Sequence, residues 1–227
     1  MNPAPENPLI VALDVSELDH AIELGRALAP HVGVLKVGLE LIWAHGPDAI
    51  SAVGEIAPVF ADAKLHDIPT TVERAAANIA GLGVAMLTVH ALGGETMIHA
   101  AVEGAHRGAS AAGVAMPVVL AVTVLSSHGG EVLASPTSLA WEAKAAGAGG
   151  VVVSGVDVRD VRDTCGEEFC LVVPGIRAPG SNGDDQLRVS TPAEAIARGA
   201  DYLVVGRPIT DAPDPIGAAR SILLDVR

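Results

Sequence analysis

Aromatic residues are scarce in this chain of 227 residues: Trp43, Phe60, Trp141, Phe169 and Tyr202 are all it has. Half the residues are nevertheless apolar, so the core must be filled by Ala, Val, Leu and Ile. That palette suits a buried parallel sheet covered by Ala-rich helices. Cysteine is nearly absent. Cys165 and Cys170 have no second Cys or His pair at metal-ligand spacing, which argues against a zinc site or a disulfide framework. Both read as reduced thiols, Cys170 as a buried one. Positive charge is also short, with 14 Lys and Arg against 27 Asp and Glu, a net charge of -13. Such a surface repels polyanions, so nucleic acid and anionic membranes are poor partners. No apolar run is long: residues 114–125 form the longest, too short to span a bilayer, and residues 1–8 lack the basic and apolar parts of a signal peptide. A cytoplasmic protein is expected.

What is present is a rhythm. Short apolar, β-branched runs occupy 9–15, 33–39, 59–65, 85–91, 117–125, 150–155, 170–176 and 202–209. Most are followed by a stretch of helical spacing or Ala-rich composition, at 18–28, 72–82, 96–105, 139–146 and 193–198. Ser16 stands before the first helix as a start signal, and Ser190 or Thr191 with Pro192 before the helix at 193–198. Apolar runs without alternation imply strands buried on both faces. Eight βα units predict a single (β/α)8 TIM barrel over residues 1–227, slightly short for that fold. A doubly wound open sheet is the alternative, but no Gly-x-Gly-x-x-Gly follows the first run.

Charge stands out against these apolar runs. The chain has three lysines, and two of them, Lys36 and Lys64, interrupt apolar strands. A buried ammonium without a partner costs on the order of several kcal/mol, so each needs a carboxylate or a ligand. Asp62 lies two residues before Lys64, on the same strand face. Asp14 and Arg207 sit toward the ends of the first and last runs. Five charges thus gather at the C-terminal ends of strands, the face where barrels place their active sites. A structural ion-pair network is the other use of such charges, but desolvating five of them for stability alone is unfavourable.

A glycine-rich segment follows the seventh run, from Pro174 and Gly175 through Arg177, Gly180 and Gly183 to Gln186. Glycines let backbone N–H groups approach an anion, and arginine adds a fork of donors. Loops after strands seven and eight commonly build a phosphate site in barrels. Residues 177–190 with Arg207 are therefore the candidate phosphate grip, and 177–190 the candidate lid.

The segment Asp62-Ala63-Lys64-Leu65-His66-Asp67-Ile68-Pro69-Thr70-Thr71-Val72 resembles the signature of the orotidine 5'-phosphate decarboxylase family. Ala12-Leu13-Asp14, Leu35-Lys36-Val37-Gly38, Pro174-Gly175-Ile176-Arg177 and Val204-Val205-Gly206-Arg207 are similar to family segments in the same order, so the likeness runs through nearly the whole chain. Asp-x-Lys-x-x-Asp is shared with related sugar-phosphate aldolases and decarboxylases; the residues from Ile68 to Thr71 and the Pro-Gly-Ile-Arg loop narrow it. The resemblance implies conversion of orotidine 5'-phosphate to UMP and carbon dioxide without metal or cofactor. It implies a catalytic group of Lys64, Asp62, Asp67 and Lys36, with Lys64 as proton donor and Asp62 beside the substrate carboxylate. Asp14 and Lys36 would hold the ribose, Ser126 and Gln186 the pyrimidine edge, and Arg177, Gly206 and Arg207 the phosphate, with Pro174 also at the substrate. Asp67, Ile68 and Thr71 would reach into the partner subunit's site in a homodimer. His66 fits the pattern but is assigned no chemistry. Two rivals stand beside this reading: a magnesium-dependent sugar-phosphate relative, and a non-catalytic phosphometabolite sensor.

Overall fold

The computed structural model describes residues 5–124, 134–177 and 190–226. Eight parallel strands close into a barrel in chain order: β1 Leu9–Ala12, β2 Val34–Val37, β3 Val59–Leu65, β4 Met86–His90, β5 Val118–Val122, β6 Gly150–Val152, β7 Cys170–Val173 and β8 Tyr202–Val205. Pairing of Ile10 with Val34 at one edge and with Val204 at the other shuts the cylinder. Around it lie α1 Leu18–Leu28, α2 Leu39–His45, α3 Pro47–Gly54, α4 Pro69–Ala80, α5 Gly94–Ala112, α6 Pro136–Ala145, α7 Val158–Cys165, α8 Pro192–Ala197, α9 Arg207–Thr210 and α10 Pro215–Leu224. The expected (β/α)8 barrel is present, and the open sheet is not.

Most strands are shorter than their apolar runs. The run at 9–15 continues past β1 because Leu13, whose N–H still donates to Lys36 O at 3.0 Å, is fully buried in the cluster beneath the helices. The run at 202–209 breaks at Gly206, and Pro208 then sits in the first turn of α9. Helix bounds shift for similar local reasons. Pro69 opens α4 three residues early. The segment expected at 96–105 runs on through Gly104 and Gly108 to a left-handed cap at Gly113, φ 68°. Those two glycines lie where α5 meets α4: a Cβ at Gly104 would collide with the Glu73 carbonyl, and one at Gly108 with that of Ala77. Ser16 does not cap α1, whose N-cap is Glu17; its hydroxyl donates to Glu40 Oε1 at 2.5 Å instead. Thr191 does cap α8, in a reciprocal pair with Glu194. Among the described residues, no helix is long and apolar enough to cross a membrane.

Two apolar clusters explain the unbroken runs. Ile10, Ala12, Val34, Phe60, Met86, Leu120, Cys170, Val172 and Val204 fill the barrel interior, while the outward residues pack beneath the helices. Side chains two apart on a strand share a face, so each strand can be followed inward toward its C-terminal end. From Ala12 the step reaches Asp14, from Val34 it reaches Lys36, from Phe60 Asp62, from Val172 Pro174 and from Val204 Gly206. Each residue reached lines one cavity at the barrel mouth.

Candidate active site

The mouth cavity has a volume of about 460 Å³, within the usual range for small-ligand sites. Asp14, Lys36, Asp62, Lys64, Pro174, Arg177, Gly206 and Arg207 all line it, so most of the sequence-predicted substrate residues converge. Asp14 and Arg207 stand just beyond their strands rather than within them: Asp14 follows β1 by two residues and Arg207 opens α9. Ser126, Gln186 and the candidate lid fall outside the described residues, apart from the anchors Arg177 and Ser190. At those anchors, Arg177 N–H donates to Ser190 O at 3.0 Å and Ile176 forms a parallel bridge with Ser190.

One side of the cavity carries a row of alternating charge. Asp14 Oδ1 lies 2.8 Å from Lys36 Nζ, which is 3.5 Å from Asp62 Oδ2; that oxygen is 2.6 Å from Lys64 Nζ. The row runs from water inward and back: the side chain of Asp14 is 51% exposed, those of Lys36 and Asp62 only 8% and 11%, and that of Lys64 30%. Burial alone would raise the Asp62 pKa, but the charges of Lys36 and Lys64, with hydrogen bonds from Lys64 and Thr88, outweigh it and hold the carboxyl below its ordinary value. Space for the row is secured at Gly38, where a Cβ would come within 2.8 Å of Asp14 Oδ1 and 2.9 Å of Lys36 Nζ.

Asp62 and Lys64 meet as expected, although not through a regular pleat. The β3–β4 register shifts between Ala61 and Leu65, and Lys64 has φ 46°, the one non-glycine residue with positive φ among the described residues. A bulge next to an active site re-aims a side chain at a cost of roughly 1–3 kcal/mol when a non-glycine residue takes the left-handed region. Here it carries the ammonium onto the Asp62 carboxylate.

The ends of β7 and β8, the latter next to β1, supply a part of the lining suited to an anion. Gly175 and Gly206 bring backbone to the cavity wall beside Arg177 and Arg207. Phe60, Val122, Val124 and Val152 supply apolar surface to the same cavity. Two polar residues escaped the sequence reading. Glu40 lines the cavity from α2, tethered by Ser16, and Thr88, fully buried on β4, hydrogen-bonds both Lys64 and Asp62. Neither breaks a pattern: a Glu on a helix and a Thr in a strand are ordinary residues there.

Asp67, Ile68 and Thr71 do not line the cavity and are exposed. Asp67 Oδ1 accepts the Ile68 N–H at 2.6 Å, and among the described residues the carboxylate paired with Lys64 is Asp62. His66 stacks on His90, ring centroids 5.2 Å apart. Burial, with the charges of His66 and Lys64, lowers the His90 pKa. Among the described residues, no group of three or more His, Cys, Asp or Glu is arranged to hold a metal ion.

A closed (β/α)8 barrel whose C-terminal mouth holds one cavity lined by a lysine–carboxylate row and by two arginines defines an enzyme class acting on small phosphorylated substrates. Comparison narrows the class. The model of the orotidine 5'-phosphate decarboxylase / HUMPS family matches residues 7–222, and the chain belongs to that family. It is 49% identical to the orotidine 5'-phosphate decarboxylase of Anaeromyxobacter sp. (strain K), over 96% of this chain and 97% of that protein. To the Moorella thermoacetica protein of the same name it is 46% identical, over 97% and 92%. The crystal structure of orotidine 5'-phosphate decarboxylase from Lactobacillus acidophilus is similar with a TM-score of 0.84 and 37% identity, covering 98% of this chain and 100% of that one.

Proposed function

We propose that the chain converts orotidine 5'-phosphate to UMP and carbon dioxide, a carboxy-lyase step of pyrimidine biosynthesis, with Lys64 as the proton donor. Near-full-length likeness to proteins of that name supports the reaction. The 2.6 Å contact of Lys64 Nζ with Asp62 Oδ2 at the cavity is the observation that carries the mechanism.

When the bond between the ring and its carboxylate breaks, carbon dioxide leaves and the electron pair stays on the ring carbon. An ammonium at that carbon stabilises the developing charge and supplies the proton, so its N–H bond breaks as the C–H bond forms. Lys64 is then neutral and recovers a proton from solvent. Asp62 keeps Lys64 charged beforehand and, next to the substrate carboxylate, raises the ground state as a secondary effect. Lys36 and Asp14 hold the ribose hydroxyls; Arg177, Gly206 and Arg207 hold the phosphate, and Pro174 also contacts the substrate. Ser126 and Gln186, outside the described residues, are assigned to the pyrimidine edge by the family resemblance alone, Gln186 also to the phosphate. Phosphate binding far from the reacting carbon supplies binding energy that can be spent at the reacting end.

The working unit is a homodimer of single-domain chains spanning 1–227, located in the cytoplasm. Exposure of Asp67, Ile68 and Thr71 just past β3 supports their role in the partner's site, where Asp67 flanks Lys64 of the other chain. The chemistry uses neither metal nor organic cofactor. Purified protein should bleach the absorbance of orotidine 5'-phosphate equally with and without EDTA. Loss of turnover in EDTA would favour the magnesium-dependent rival, and no turnover in either buffer would refute the decarboxylase reading.

A further inference from the structure

Thr88 lies fully buried on β4, next to the bulge of β3. Its hydroxyl has one proton and can accept others. Both capacities are used: Lys64 N–H donates to Thr88 Oγ1 at 2.9 Å, and Thr88 O–H donates to Asp62 Oδ1 at 2.9 Å. The first bond falls on the one described non-glycine residue with a left-handed backbone. The second occupies the Asp62 oxygen that does not face the lysines, leaving Oδ2 toward Lys64 and Lys36.

We propose that Thr88 is a positioning residue for decarboxylation: one hydroxyl pins the Lys64 backbone in its bulged conformation and locks the Asp62 carboxylate with Oδ2 on the ammonium. The proposal rests on the reaction assigned above. A buried hydroxyl needs a hydrogen-bond partner, and the two that Thr88 has are the groups whose separation sets the proton donor's place. Rotation of the carboxylate would break the 2.6 Å contact, and relaxation of the bulge would swing the lysine stem away from the cavity.

Asp62 is surrounded by Lys36 from β2, Lys64 from β3 and Thr88 from β4, with Asp14 beyond Lys36 and His90 two residues past Thr88. Thr88 is among the donors that hold the Asp62 pKa down. Asp62 is needed ionised, so activity falls as pH drops through its pKa. Losing the Thr88 donor raises that pKa.

The test compares wild type, Thr88→Val and Thr88→Ser on orotidine 5'-phosphate, with site-assigned carbon-13 NMR titration of the Asp62 carboxyl. Valine keeps the shape without the hydroxyl. It should lower kcat by about 10- to 100-fold with KM changed less than about threefold, the scale of a hydrogen bond to a charged group. Its Asp62 titration midpoint should rise, and serine should restore both readouts. If valine does not fold, Thr88→Ala is read in the same way. Unchanged kcat and midpoint in the hydroxyl-free variant, or serine as impaired as valine, would overturn the proposal. An inactive wild type would refute the assigned reaction instead, and the Asp62 titration would still decide whether Thr88 holds that carboxylate.

Discussion

Lys64 combines two unfavourable features, a left-handed backbone and a part-buried ammonium, and both are balanced by neighbours: Thr88 at the N–H, Asp62 at Nζ. Strain so tightly supported is typical of functional positions. In the proposed mechanism the cavity arginines, Arg177 and Arg207, act differently, through the anionic end of the ligand and away from the reacting carbon. Arg207→Ala should lower kcat/KM on orotidine 5'-phosphate by roughly 10- to 100-fold, the scale of losing a hydrogen bond to a charged group. Turnover of the unphosphorylated nucleoside should barely change, and equal losses on both substrates would remove Arg207 from the phosphate site. At this scale the sequence was readable where charge met apolarity: with three lysines in the chain, two of them inside strands were conspicuous. Thr88 and Glu40 were invisible because their roles depend on which strand or helix lies beside them, which spacing along one segment does not reveal.

At the scale of elements, the eight strands could be placed from β-branched runs, whereas their ends could not. Leu13 and Pro208 prolong the apolar signal after the ladder has stopped, since burial under helices and burial in the sheet draw on the same residues. Helix α5 shows the converse. Gly104 and Gly108 lower its intrinsic helicity, yet they allow the close approach to α4 that holds the pair together. Gly108→Ala should therefore destabilise the protein by about 1–3 kcal/mol in urea unfolding, although alanine is the better helix former. Gly54→Ala, where the new Cβ would have its nearest neighbour at 3.9 Å, should be neutral or slightly stabilising. Equal effects at the two positions would mean that the α4–α5 crossing is not glycine-limited.

For the whole molecule, the barrel converts a repeat in the chain into a single site. Each strand contributes apolar side chains to the interior, and the next inward position opens into the mouth cavity, so residues from Asp14 to Arg207 come together. This convergence was legible from the eightfold rhythm. Asp67, Ile68 and Thr71 remain outside the cavity of their own chain, and the proposed dimer would use them in the site of a second chain. Mixing Asp67→Ala with Lys64→Ala subunits should recover activity, because one of the two sites in a heterodimer then keeps both groups. No recovery in verified heterodimers would rule out sharing. The central claim, that the ammonium beside Asp62 performs the chemistry, is tested most directly by Lys64→Ala alone, assayed for loss of orotidine 5'-phosphate with folding checked by circular dichroism. The expected result is a folded protein with turnover reduced by at least about 10⁴-fold, the upper scale of a positioned proton donor; near-normal decarboxylation by the folded variant would contradict it.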